Sequence, residues 1–106
     1  MGHDISGCNN AGKEVAYARF SMGNYNAIIL YSLLDAEKYY AGVSGTGESS
    51  IFTFQQMEEA LNACNQLFDS SVPQKEMNWD QKQIQDFILN CLETAQKEGS
   101  VKVFFC

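Results

Sequence analysis

The sequence predicts an α+β fold in which three helices pack against one three-stranded sheet. Apolar and polar residues alternate in two runs near the N-terminus and again in the last six residues, which is typical of half-buried strands. Between them, apolar residues recur at helical spacing in three segments. The element order is therefore ββαααβ. Because an isolated hairpin is only marginally stable in water, we expect the final strand to join it in one antiparallel or mixed sheet covered by helices on one face.

The composition indicates one globular domain that spans residues 1–106. Hydrophobic residues make up 45% of the 106 positions, and there is a single proline. A chain of this length buries roughly two-thirds of the surface that its unfolded form exposes. It can therefore hold a core without metal ions or disulfides.

The charge balance and the apolar runs exclude two classes of partner. Seven basic and thirteen acidic residues give a net charge of -6, which repels phosphate backbones, so we expect no nucleic-acid binding. The longest nearly apolar run covers positions 27–34 and is far shorter than the roughly 20 residues that a bilayer span needs. We therefore expect no membrane segment.

The four cysteines indicate reduced thiols in a cytoplasmic protein. Cys8, Cys64, Cys91 and Cys106 lie far apart, with no C-x-x-C pair and no histidine cluster to complete a metal site. Cys64 and Cys91 fall on helix faces that we expect to be buried. The sequence predicts neither a metal nor a disulfide framework.

The elements follow one another along the chain with clear local signals. A hairpin is predicted from residues 3–8 and 14–21, which flank an Asn/Gly-rich turn. The first helix should run from Asn24 to near Gly42, because apolar residues repeat at helical spacing between them. The terminal strand covers residues 101–106.

The second and third helices carry capping signals at their starts. Thr53 and Gln56 form a capping box, and Phe52 precedes the helix as a hydrophobic staple against Met57. Behind this start, the apolar stripe extends to Phe68. In the third helix, Asn78 and Gln81 repeat the capping arrangement before an apolar stripe that ends near Gly99.

The direction of each element predicts which residues meet. If every helix crosses the sheet once, the terminal strand runs antiparallel to the first, and Cys106 lies beside His3 and Asp4. Because the first helix would then cross the sheet, the Gly-rich segment 42–50 that follows it is expected at the hairpin end, near Lys13.

The Gly-rich segment is the first candidate for a ligand site. Its backbone N–H groups, its hydroxyls and the start of the second helix are a combination that can hold an anion. The alternative is a connector whose glycines only supply turns. The candidate ligand-binding residues are Lys13, Ser44, Gly45, Thr46, Gly47 and Thr53.

The chain ends provide a second candidate. His3 is the only histidine, and with Asp4 and Cys106 it would form a cluster of imidazole, carboxylate and thiol at the sheet edge. The alternative is a surface histidine on an edge strand.

Aromatic residues provide a third candidate, an interaction surface. Tyr25 and Tyr39 are expected to be partly exposed, with Tyr39 near the Gly-rich segment 42–50. Phe104 points away from Val103 and Phe105 in the terminal strand, so one-sided helix cover leaves it exposed. Either helices cover both faces of the sheet, or a second subunit covers Phe104 by self-association through an open sheet face or an unpaired edge strand. The alternative for the tyrosines is that they seal the edges of the core.

These features favour a small non-enzymatic accessory or regulatory protein that acts through protein contacts, including a possible homodimer. One histidine, one arginine and no cofactor fingerprint leave little for a catalytic site, and we expect no cofactor. The alternative is a small-ligand or anion-binding protein, or an enzyme of unknown reaction, with its pocket at residues 42–50.

Overall fold

The computed structural model describes residues 2–42, 44–67 and 79–106, and in these ranges the chain folds into three α-helices and a four-stranded antiparallel sheet. The elements are β1 (Gly2–Cys8), β2 (Glu14–Ser21), α1 (Tyr25–Leu33), a short 3₁₀ turn (Glu37–Tyr39), β3 (Glu48–Thr53), α2 (Phe54–Leu67), α3 (Trp79–Glu98) and β4 (Ser100–Phe105). The α+β class predicted from the sequence is confirmed. The expected roles of Phe68 and Asn78 lie outside the described residues.

The predicted hairpin and the meeting of the two chain ends are confirmed. The strands lie in the order β2-β1-β4-β3, and β4 runs antiparallel to β1. Asp4 and Cys106 exchange two backbone hydrogen bonds of 3.1 and 3.0 Å. The terminal strand therefore lies inside the sheet, between the hairpin and β3.

The prediction of three strands is wrong, because the second half of the Gly-rich segment forms β3. Residues 48–53 pair in antiparallel register with residues 105–100 of β4. Gly47, at φ +87°, begins the pairing by donating its N–H to the Phe105 carbonyl at 2.7 Å. The serines of this segment have weak strand preference, and the partner strand that overrides it is far away in sequence.

The predicted end of the first helix is also wrong. α1 stops at Leu33, and Asp35 adopts a left-handed conformation at φ 53°. The N–H of Ala36 then donates to the Tyr31 carbonyl at 2.8 Å, which reverses the chain into the 3₁₀ turn. After this turn the chain lies at the Cys106 end of the sheet. β3, and not the first helix, therefore carries the chain from this end to the hairpin end.

The capping box predicted at the start of α2 is confirmed. The Gln56 N–H donates to Thr53 Oγ1 at 3.2 Å, and the Thr53 N–H donates to Gln56 Oε1 at 2.7 Å.

All three helices cover one face of the sheet, as predicted, and the core lies between them. The sheet side of the core consists of His3, Ile5, Ala16, Ala18, Phe20, Phe52, Val101, Val103 and Phe105. The helices contribute Ala27, Leu30, Tyr31, Met57, Ala60, Cys64, Ile84, Phe87, Ile88, Cys91 and Ala95.

Candidate functional site

The second face of the sheet, which none of the described helices covers, is the main candidate site. Side chains alternate along a strand, so each strand that buries one set of residues turns the other set outward. We call this set the open face: Asp4, Ser6, Cys8, Tyr17, Arg19, Ser49, Ile51, Lys102 and Phe104. Each of these residues is exposed or half-buried, and Ile51 is 63% exposed.

Strand pairing arranges the apolar members of the open face in a strip. One row across the sheet runs from Tyr17 through Ser6 and Phe104 to Ser49. The small side chain of Ser6 thus separates the two aromatic rings, and Tyr17 is 46% exposed. This row crosses all four strands.

A second row carries Lys102, the cation of the open face that lies beside the Phe104 ring. It runs from Cys8 through Lys102 to Ile51. The Nζ atom of Lys102 lies 5.2 Å from the centroid of the Phe104 ring in the neighbouring row, a cation–π distance. The centre of the open face therefore combines an aliphatic side chain, an aromatic ring and one positive charge.

A polar group of three residues borders this strip on the β2 side. The Tyr17 hydroxyl donates to the Asp4 carboxylate, and the Nε atom of Arg19 lies 3.6 Å from the same carboxylate. The hydrogen bond to Asp4 raises the pKa of Tyr17. These groups are solvent-exposed, so their pairing orients side chains more than it adds stability.

A shallow cavity of about 260 Å³ opens beside the strip, at the hairpin turn. It is lined by Cys8, Asn9, Asn10, Gly12, Ile51, Ser100, Lys102 and Phe104. Burial raises the pKa of the Cys8 thiol, Glu14 raises it further, and Lys102 opposes the shift. A nucleophilic cysteine needs a lowered pKa, so the environment of Cys8 does not activate it.

The two helix cysteines are buried, as predicted, and all four cysteines are free thiols. Burial raises the pKa of Cys64 to about 11 and that of Cys91 to about 12. Both side chains are protonated at neutral pH and contribute to the core as small apolar groups.

The structure does not assemble His3, Asp4 and Cys106 into a side-chain cluster. The backbones meet as predicted, but His3 and Asp4 are consecutive strand residues and point to opposite faces. The expectation of a surface histidine is wrong as well, because His3 is only 1% exposed.

His3 instead belongs to a buried polar group beneath the sheet. Its Nδ1 atom lies 3.0 Å from the Tyr31 hydroxyl oxygen, and its Nε2 atom lies 3.2 Å from the Gly42 carbonyl oxygen. Nε2–H donates to this carbonyl, which leaves Nδ1 to accept from the Tyr31 hydroxyl. The Tyr40 ring stacks on the imidazole at 5.2 Å between centroids. Every polar atom of His3 is satisfied, which fits a structural role.

The candidate ligand residues are divided between the two ends of the sheet. Lys13 lies in the hairpin turn and Thr53 at the same end, where β3 joins α2. Segment 44–47 lies at the opposite end, beside Cys106. The predicted proximity of Lys13 to the segment is wrong because α1 does not cross the sheet.

The backbone of this segment is already engaged in hydrogen bonds. The N–H of Gly45 donates to the Cys106 carbonyl, that of Thr46 to the Tyr39 carbonyl and that of Gly47 to the Phe105 carbonyl, at 3.0, 3.0 and 2.7 Å. An anion site needs free N–H groups. Three consecutive donors of the predicted cradle are therefore occupied by the protein itself.

The three predicted interaction residues lie in different surroundings. Tyr25 is 70% exposed, but it lies on α1, on the helical side of the sheet. Tyr39 is buried and stacks on Phe105 at 4.8 Å, so the expectation that it is exposed is wrong. Phe104 is half-buried on the open face. The tyrosines and Phe104 do not form one surface.

Tyr17 and Ile51 are members of the open face that were not predicted from the sequence. The signal for Tyr17 is present, since it alternates with the buried residues Ala16 and Ala18 in β2. Ile51 carries no such signal, because it lies between the predicted connector, which ends at residue 50, and the capping box that begins at Thr53.

Comparison with known proteins finds no matching family, no matching curated protein and no matching solved structure. In the described part of the chain, no helix is both long and apolar enough to cross a membrane. The same residues contain no group of three or more His, Cys, Asp or Glu side chains arranged to hold a metal ion.

Proposed function

We propose that this chain is a non-enzymatic accessory or regulatory protein of the cytoplasm that binds another protein, or a second copy of itself, through the open face. The supporting observation is the strip of Tyr17, Phe104 and Ile51, which lies on the sheet face that no helix in residues 2–42, 44–67 and 79–106 covers. Aromatic and aliphatic groups beside a single cation are typical of interface centres.

The charge distribution favours a protein over a nucleic acid as the partner. The chain carries a net charge of -6, and Arg19 on the open face is paired with Asp4. Lys102 is the remaining cation of this face, and its ammonium group lies near the Phe104 ring. A single available cation does not make the basic surface that a phosphate backbone requires.

The alternative of a ligand pocket at residues 42–50 has less support. The donors of Gly45, Thr46 and Gly47 are hydrogen-bonded within the protein, and Lys13 lies at the other end of the sheet. A thermal-shift screen with anions and nucleotides tests it directly. A specific stabilisation that is lost in Thr46→Ala and kept in Lys13→Ala would favour ligand binding at this segment over our proposal.

The proposal is tested by comparing two aromatic residues on opposite sides of the sheet, Phe104 and Tyr25. The chain and its Phe104→Ser and Tyr25→Ser variants are used to capture proteins from an extract of the source organism, and each captured protein is then purified. We expect direct binding to the purified partner, or self-association of the chain, to weaken at least tenfold in Phe104→Ser and to persist in Tyr25→Ser.

The measurement is isothermal titration calorimetry, with sedimentation velocity for self-association and circular dichroism to show that both variants are folded. Equal binding by the two variants would place the contact elsewhere and overturn the role of the open face. An absence of both a partner and self-association would overturn the proposal itself.

A further inference from the structure

The two edge strands of the sheet differ in how their outer backbone groups are satisfied. On β2, the Gln83 side chain accepts from the Arg19 N–H at 2.7 Å and donates to the Arg19 carbonyl at 2.9 Å. This amide of α3 occupies the place that a neighbouring strand would take. Such protection prevents further strand pairing at the β2 edge.

The β3 edge has outward-facing groups at two positions. Asp4 and Cys106 exchange two hydrogen bonds, so residues 102, 104 and 106 direct their backbone groups towards β1, and residues 101, 103 and 105 direct theirs towards β3. The set of β3 residues that pairs with them, 48, 50 and 52, therefore faces β4, in agreement with the bond from the Phe54 N–H to the Gly99 carbonyl. Ser49 and Ile51 belong to the other set, so their N–H and C=O groups point away from the sheet. Among the residues that the structure describes, no hydrogen bond to these four groups is found.

We propose that a second copy of this chain pairs with β3 in antiparallel fashion, around a two-fold axis at Ser50. This rests on the proposed function in taking protein contact as the role of the chain, and it adds the partner and the register. In this register Ser49 faces Ile51 of the second copy, and Ile51 faces its Ser49. Each of these two pairs exchanges two hydrogen bonds, so all four groups in each copy are satisfied.

A shift of the axis along β3 would lose part of this pairing. If the axis passed through Ser49 or through Ile51, only that residue and its copy in the second chain would still exchange two hydrogen bonds. The next outward residue, Thr53, already uses its N–H in the capping box with Gln56. The axis at Ser50 is therefore the register that uses the edge fully.

The same register joins the two open faces. Ser49 is the β3 neighbour of Phe104, so Ile51 of the second copy enters the row that contains this ring. Ile51 is 63% exposed in the single chain, and pairing places it beside apolar surface. The aromatic strip thus continues across the two-fold axis.

Charges at the contact are complementary. Glu48 would face Phe52 of the second copy, two positions before the first residue of its α2, and the first turn of α2 carries no acidic residue. A carboxylate near a helix N-terminus is favourable. The two Glu48 residues lie about 13 Å apart along the strands, beyond the Debye length of about 8 Å.

The contact is short, which predicts its strength. β3 has six residues, and one such edge buries less than the roughly 800 Å² per partner that is usual in stable complexes. We therefore expect a dimer that forms with rising concentration instead of a permanent one.

The first experiment removes the outward N–H of Ser49 without touching the bonds to β4. Sedimentation velocity is measured from low micromolar to near-millimolar concentration for the unmodified chain, Ser49→Pro and Ser49→Ala. The unmodified chain and Ser49→Ala should form a dimer. Ser49→Pro loses two hydrogen bonds per dimer, so its dimer dissociation constant should be at least roughly tenfold higher.

The second experiment tests the register by disulfide cross-linking and does not depend on proline. Ser50→Cys is made with Cys8→Ser and Cys106→Ser, which removes the accessible native thiols. In this register the Cα atoms of the two residues 50 lie about 4.5 Å apart, within disulfide range. The Cα atoms of the two residues 49 lie about 8 Å apart, too far for a disulfide, so Ser49→Cys in the same background is the control. Mild oxidation should therefore cross-link the first variant and leave the control monomeric.

The outcomes separate this inference from the proposed function. A chain that is monomeric at every concentration and gives no cross-link at residue 50 overturns the dimer, whether or not the open face binds another protein. A dimer that is lost in Phe104→Ser but unchanged in Ser49→Pro places the contact on the open face and overturns edge pairing alone. Cross-linking at residue 49 but not at residue 50 overturns the register.

Discussion

The two faces of the sheet are built from the same strands and have opposite roles. Phe105 is fully buried and packs against Tyr39 and Tyr31, whereas its neighbour Phe104 is half-buried on the open face. The pleat of each strand alone makes this separation. Stability is thus concentrated on one side of the sheet, and the other side is available for contacts.

The largest difference between the faces is expected for the two phenylalanines. Phe105→Ala removes a ring from a close-packed core and should lower the free energy of unfolding by about 3–5 kcal/mol. Phe104→Ala should lower it by about 1 kcal/mol, which is usual outside the core. Urea denaturation followed by circular dichroism measures both, and equal losses would show that the open face is covered.

A smaller difference is expected for the consecutive residues His3 and Asp4. His3→Leu leaves the Tyr31 hydroxyl and the Gly42 carbonyl without their buried partner and should cost about 1–3 kcal/mol. Asp4→Asn weakens an exposed ion pair with Arg19 and should cost less than about 1 kcal/mol. The same denaturation measurement applies, and a larger loss in Asp4→Asn would contradict the assignment of the two faces.

The smallest difference concerns two tyrosines, and it is a difference in how steeply stability falls with pH in the alkaline range. Burial raises the pKa of Tyr31 from 10 to about 12, so the folded state favours the protonated phenol. This contribution to stability is complete below pH 10 and is lost as the pH rises towards about 12. Tyr31→Phe should therefore flatten the fall in unfolding free energy over this range.

Tyr17→Phe provides the control on the open face. The pKa of Tyr17 is raised by its hydrogen bond to Asp4, but the side chain is exposed and the effect on stability is screened. Its alkaline profile should follow that of the unmodified chain. A steeper profile in Tyr31→Phe than in Tyr17→Phe would contradict the buried position of Tyr31.

Local signals in the sequence were enough for much of the fold. The capping box of Thr53 and Gln56 fixed the start of α2, because both partners lie within one turn. Alternation identified the hairpin and the terminal strand. The end of α1 was missed because Asp35, and not a glycine, takes the left-handed conformation that ends the helix.

The candidate site was less predictable because it depends on pairing between distant segments. β3 exists because β4, about fifty residues later, supplies its hydrogen bonds, and without β3 neither Ile51 nor the open edge was recognisable. The burial of His3 could have been inferred, since it alternates with Ile5 on the face that packs under the helices. Its partners on α1 and in the Gly42 turn could not be inferred from local spacing.

The central position of β4 affects how a nascent chain acquires this sheet. β1 and β3 have no contact with each other except through β4, which is synthesised after every other described element. While the ribosome is still making α3, the hairpin lacks its inner neighbour and β3 has no partner at all. The sheet is therefore completed only when residues 100–105 emerge from the exit tunnel, and until then β3 is exposed to other chains.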